Sequence, residues 1–170
     1  MRSVIMEEPG KVVVEDRPMP TLLESTDAVI KLAASCICGS DLWPYRGAQP
    51  EPVDHQQMGH EYIGEVIEVG DDVKTVKPGD FVVGSFCISC GECATCRDGY
   101  PSRCLKAIAA GDGFIGMRSN GTQAEYARIP FADGTLVKTP AYPTAEQIPH
   151  LMAASDVLGT GWYAADAAKA

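Results

Sequence analysis

No apolar run in the chain approaches the ~18 residues that a membrane-spanning helix requires. The N-terminus, MRSVIMEEPG, turns acidic by residue 7 and leaves no room for the apolar region of a secretion signal. Positive charge is also short: 14 Lys and Arg stand against 23 Asp and Glu, a net charge of -9. A duplex-binding face neutralises phosphates with a basic patch, so nucleic acid is excluded as a partner, and anionic membrane surfaces with it. There is no internal repeat and no low-complexity tract. Without an export signal the expected location is the cytoplasm, where thiols stay reduced.

What is present is enough for one packed unit. A chain of 170 residues, 45% hydrophobic and 22% charged, falls outside the disordered class. Its 17 glycines and 12 prolines favour turns and short strands over a helical bundle. Residues 11–15, 28–32, 62–69, 81–83, 123–130 and 136–137 read as strands, most bounded by Gly or Pro. Strands at this spacing suggest a barrel or sandwich. Residues 84–121 are rich in Gly and Cys and poor in periodic pattern, so they read as a long excursion needing its own anchor. Thr144 with Gln147 suggests a capping box for a helix through Ser155, which Pro149 should distort. Residues 162–170 are Ala-rich and helix-prone, and the sequence stops inside that helix without a C-cap, as a truncated protein would.

Seven cysteines are many for this length, and five fall between Cys87 and Cys104. In a reduced compartment such clustering points to metal rather than disulfides. Cys90, Cys93, Cys96 and Cys104 have the spacing C-x2-C-x2-C-x7-C. Four thiolates fill a tetrahedral shell and leave no open position, so the site is structural, and zinc suits it best. Cys87 sits three residues before Cys90 and is a rival fourth ligand. The ferredoxin-type run differs in its last gap and needs a Pro after the final Cys, where Leu105 stands. Free buried thiols are the remaining alternative.

A second constellation lies in Cys38-Gly-Ser-Asp41 and Gly59-His-Glu61. A thiolate, an imidazole and carboxylates are zinc ligands of the mixed, catalytic kind. With Pro78-Gly-Asp80, the four-cysteine loop, Gly121-Thr-Gln-Ala-Glu-Tyr126 and Asp156-Val-Leu-Gly-Thr-Gly-Trp162, these segments span nearly the whole chain. Together they resemble the N-terminal, GroES-like catalytic portion of the zinc-dependent medium-chain alcohol dehydrogenases.

The resemblance implies a mainly β fold with helices: a GroES-like barrel with a zinc-stapled Cys-rich loop and C-terminal helices. It implies that residues 1–170 form one truncated catalytic domain, with the nucleotide-binding domain absent. Cys38, His60 and Asp156 then resemble the catalytic zinc ligands, the last standing where much of the family has Cys. Glu61 resembles a carboxylate that sits behind the metal, Asp41 an acceptor for the His60 ring N–H, and Ser40 the hydroxyl that passes the substrate proton. Thr160 resembles a residue that touches the nicotinamide. The implied cofactors are one catalytic and one structural zinc, with NAD or NADP in the full-length enzyme.

The implied reaction is hydride transfer between an alcohol, aldehyde or ketone and NAD(P). The full-length enzyme is expected as a homodimer or homotetramer, and these 170 residues alone are expected to be inactive. The alternative is a stand-alone, zinc-stapled β-barrel binding module without catalysis; a zinc-ribbon interaction domain is disfavoured by the acidic charge. Where many members carry a relay His, this chain has Trp43, so either His55 or water is expected to take the final proton step, or the relay is shorter. Trp43 and Tyr45 read as core or pocket aromatics. Gly111-Asp-Gly-Phe-Ile-Gly116 spells a dinucleotide fingerprint but lacks the strand before and the helix after it, so it reads as a loop.

Overall fold

The computed structural model describes residues 1–49, 54–111 and 121–169. Eight strands are formed: β1 (Arg2–Glu8), β2 (Lys11–Asp16), β3 (Ala28–Ser35), β4 (Gln56–Gln57), β5 (Tyr62–Val69), β6 (Phe81–Gly84), β7 (Tyr126–Ile129) and β8 (Leu136–Lys138). Six helices are short except the last: α1 (Leu42–Tyr45), α2 (Ala94–Arg97), α3 (Leu105–Ala109), α4 (Ala132–Thr135), α5 (Ile148–Met152) and α6 (Val157–Ala168). Three 3-10 turns, Gly39–Asp41, Pro101–Arg103 and Ala153–Ser155, complete the described elements.

The strands form two antiparallel sheets, ordered β2-β1-β4 and β7-β3-β5-β6-β8. The architecture is mainly β with helices, but the ladders do not close into a barrel among the described residues. The sheets meet through the stretch 121–125. Val4 N–H donates to the Gln123 carbonyl, Glu125 N–H to Arg2 and Leu32 N–H to Glu125. A single bridge between Ser3 and Ala124 is all that this seam makes of a ladder.

Alternation along β5 and β6 builds two cores. Tyr62, Val66 and Val82 face one side, with Ala28, Ile30, Ile129 and Leu136. Their neighbours Ile63, Phe81 and Val83 face the other, where Met152 of α5 covers them. Successive strand residues point to opposite faces, so helix α5 is needed to bury the second set. β5 thus holds a central place, paired with β3 on one side and β6 on the other.

Several expectations meet a different outcome. β1 was not expected; it pairs with β2 through the Pro9-Gly10 turn and buries Ile5 and Met6. Strand β7 is shorter than the reading of 123–130, because residues 123–125 pair with β1 instead. Pro149 does not distort its helix: α5 begins after Gln147, and Pro149 falls in the first turn, where no partner for its missing N–H is required. The Gln147 side chain does accept from Thr144 N–H at 2.9 Å. Helix α6 is closed by Lys169 in the left-handed conformation rather than running on uncapped. Trp43 and Tyr45 are 64% and 40% exposed, so neither is a core aromatic. Of the fingerprint-like run, residues 112–116 lie outside the described residues.

Candidate metal centre

Cys38 ends an extended stretch and precedes the Gly39–Asp41 turn. That turn folds the Asp41 carboxylate back so that Oδ2 accepts Cys38 N–H at 2.9 Å. Asp41 Oδ1 lies 3.3 Å from His60 Nδ1. This contact fixes the ring's orientation and turns Nε2 towards Cys38 and Asp156. It also pushes the His60 pKa up to about 9, against the opposing effect of burial.

His60 itself is placed by a backbone clasp. Thr122 N–H donates to the Gly59 carbonyl at 3.0 Å, and Gln123 N–H to the Met58 carbonyl at 2.9 Å. Gly59 has a φ of +96°, and a Cβ there would lie 2.5 Å from Gln123 N. Only glycine permits both that conformation and that approach.

The third arm comes from the far end of the chain. Asp156 sits between the Ala153–Ser155 turn and α6. Its Oδ2 is 3.7 Å from Cys38 Sγ and 3.6 Å from His60 Nε2. Its Oδ1 accepts the Thr160 hydroxyl at 3.2 Å. Glu61 is buried behind the group, and one donor atom each from Cys38, His60, Glu61 and Asp156 lies within 4.8 Å of the others. Zinc bonds of ~2.0–2.3 Å place neighbouring tetrahedral ligands ~3.3–3.8 Å apart, so the donor set and spacing fit such an ion.

Ser40 Oγ is 3.1 Å from His60 Nε2, at the edge of this group. His55 lies elsewhere: its Nε2 pairs with Glu15 at 2.8 Å on the three-stranded sheet. Thr160 is exposed on α6, and its hydroxyl is spent on Asp156.

The four-cysteine group gathers in the loop after β6. Cys93 Sγ is 3.4 Å from Cys96 Sγ and 3.9 Å from Cys104 Sγ, and Cys90 belongs to the same cluster. Backbone N–H groups of Cys90 and Ala107 point at Cys104 Sγ, and that of Cys93 at Cys90 Sγ. Such donors favour thiolate over thiol. The Thr95 hydroxyl, then the Cys96 N–H, draw the Cys93 pKa down, while burial pushes Cys96 up. Between the rival fourth members, geometry selects Cys104. Cys87 is outside the cluster, and burial together with the Asp156 charge pushes its thiol up to about 11.

Two contributors were not singled out from sequence. Gln123 Nε2 donates to the Cys36 carbonyl at 3.1 Å and to Asp41 Oδ2 at 3.3 Å. Cys36 lies beside the Glu61 carboxylate, and burial followed by that charge raises its pKa. The Gly121-Thr-Gln run marked the place of Gln123 without showing what it touches.

Comparison with known proteins agrees with the fold. Residues 24–141 match the family model described as the alcohol dehydrogenase GroES-like domain. The zinc-type alcohol dehydrogenase B of Aspergillus flavus is 44% identical over 165 residues, covering 97% of this chain and 37% of that protein. The alcohol dehydrogenase TADH from Thermus sp. ATN1 superposes with a TM-score of 0.82 at 34% identity, over 95% of this chain and 46% of that one. A Sinorhizobium meliloti protein described as a zinc-binding dehydrogenase, solved with NADP, gives 0.65 at 29% identity, over 82% of this chain and 38% of that one. The chain therefore spans less than half the length of each of these three relatives. With the family model covering most of its residues, this chain belongs to the zinc-dependent medium-chain alcohol dehydrogenases, as their N-terminal GroES-like part.

Proposed function

We propose that residues 1–170 are the catalytic part of an oxidoreductase that moves hydride between an alcohol or carbonyl compound and NAD(P). The observation that carries this reading is the convergence of Cys38, His60, Glu61 and Asp156. Cys38, His60 and Asp156 would hold a catalytic zinc. Bound there, the ion supplies Lewis-acid polarisation of the substrate oxygen. Cys90, Cys93, Cys96 and Cys104 would hold a second, structural zinc.

The chain's own groups have distinct tasks. Asp41 holds the proton of His60 on Nδ1, which leaves the Nε2 lone pair for the ion. Ser40 stands beside that nitrogen and offers a hydroxyl able to hand on the substrate proton. His55 is engaged with Glu15, so the relay runs from Ser40 to solvent without it. Glu61, buried among the ligands, supplies negative charge that offsets the cation. Thr160 steadies Asp156 through its hydroxyl; a role against the nicotinamide belongs to the full-length enzyme. The isolated 170 residues bind metal and do not turn over alcohol.

The test is zinc content by mass spectrometry under native conditions, on wild type and on Cys38→Ser and Asp156→Ala. Two zinc ions per wild-type chain, falling to one in each variant, support the reading. One ion per wild-type chain, kept by both variants, overturns it and favours a metal-stapled binding module.

A further inference from the structure

We propose that Gln123 is a positioning residue for the metal site, tying the two ligand-bearing arms to one residue, the His60 arm through its backbone N–H and the Cys38 arm through its side-chain amide. The inference rests on the proposed function above.

Gln123 meets the Cys38 arm and the His60 arm at once. Its backbone N–H bonds the Met58 carbonyl, two residues before His60. Its side-chain nitrogen reaches the Cys36 carbonyl, two residues before Cys38. The same nitrogen reaches Asp41 Oδ2. Both side-chain partners are acceptors, so the amide orientation is fixed: the nitrogen faces inward and the oxygen away.

The Asp41 carboxylate depends on that nitrogen. It is buried, and three donors hold it: Cys38 N–H and Gln123 Nε2 on Oδ2, and His60 Nδ1 on Oδ1. Removing Gln123 leaves Oδ2 with one donor. The carboxylate, left with two of its three donors, is held less firmly against turning about its χ2 torsion, which is broad and roughly two-fold. Turning carries Oδ1 away from His60 Nδ1 and releases the ring. The space for Gln123 is made by Gly59, whose missing Cβ would come within 2.7 Å of Gln123 Cγ. Glycine at 59 and glutamine at 123 are thus one device.

The isosteric variant Gln123→Met fills the same space without a donor. Zinc affinity of the 170-residue chain is measured by competition with a chromophoric chelator. The four-cysteine site, which shares no residue with the Gln123 contacts, is the internal control. Outer partners of a metal-bound histidine change affinity by ~10–100-fold. The expected result is a loss of at least about tenfold at the Cys38 site and none at the control. Unchanged affinity at the Cys38 site, or equal losses at both sites, overturns the proposal.

A second readout needs no metal. The His60 ring nitrogens are followed by NMR in metal-free wild type and Gln123→Met. A shift at Nδ1 in the variant supports the positioning role, and identical spectra refute it. If wild type binds zinc only at the four cysteines, the proposed function fails. The NMR comparison then still decides the role of Gln123.

Discussion

Replacing Asp41 by Asn changes one heavy atom and should weaken metal binding at one site only. The wild-type carboxylate takes two N–H donors on Oδ2 and the His60 ring on Oδ1. An amide has one oxygen and one NH2. If its oxygen keeps Cys38 N–H and Gln123 Nε2, its NH2 faces His60 Nδ1. That nitrogen must then accept, the ring proton moves to Nε2, and the lone pair aimed at the site is lost. If the amide flips, its NH2 opposes two donors in a buried place, which costs about 1–3 kcal/mol for each unmade bond. Either way zinc affinity should fall by ~10–100-fold, or about 1.4–2.7 kcal/mol. The same change removes the leading cause of the raised His60 pKa, so in metal-free protein it should drop from about 9 towards the ordinary ~6.5. Chelator competition reads the first effect and NMR titration of the ring the second. An Asp41→Asn variant that holds both zinc ions with wild-type affinity would refute the reasoning.

Two further outcomes concern the scaffold. Gly84 lies opposite Tyr62 in the β5–β6 ladder, and a Cβ there would sit 1.9 Å from the buried Tyr62 ring. Gly84→Ala should cost about 1–3 kcal/mol or more by overpacking and lower Tm by ~2–4 °C for each kcal/mol, and calorimetry should show part of the loss recovered when Tyr62→Leu is added. Asp133 contributes stability that acid removes. Burial opposes its charge, but Thr75 N–H and hydroxyl and Lys74 N–H bond the carboxylate and hold its pKa below the ordinary value. A depressed folded-state pKa gives stability that is present above the unfolded value of ~3.9 and is lost as pH falls through the folded one. In urea melts the gap between wild type and Asp133→Asn should therefore be full at neutral pH and shrink in acid below about pH 4.

Much of the scaffold was legible because local and global signals agree. Residues 62–69 match β5 at both ends, since a β-rich run lies between a Gly-His-Glu turn and Gly70-Asp71. β1 was missed because Arg2–Glu8 pairs with a strand close by in sequence, yet its burial is set by β4 and residues 121–125. The start of α5 moved because Gln147 bonds back to Thr144 while its own residue caps the helix. Residue types alone left Cys87 and Cys104 as rivals; only the turns around α2 and α3 bring Cys104 in. Gln123 carried no chemical signal of its own. Its meaning lies in two acceptors, 82 and 87 residues away in sequence.

The two metal-type clusters close loops of very different size. Cys90 and Cys104 are 14 residues apart, whereas Cys38 and Asp156 are 118 apart. Closure entropy grows with loop length, and contacts across long stretches form only after the sheets between them have assembled. Cys104 precedes Asp156 in the sequence, so during synthesis all four cysteines are made before the last ligand is. A metal held by Cys38 and Asp156 would therefore report that the sheets between them have assembled, whereas one held by the knuckle would report only its own neighbourhood.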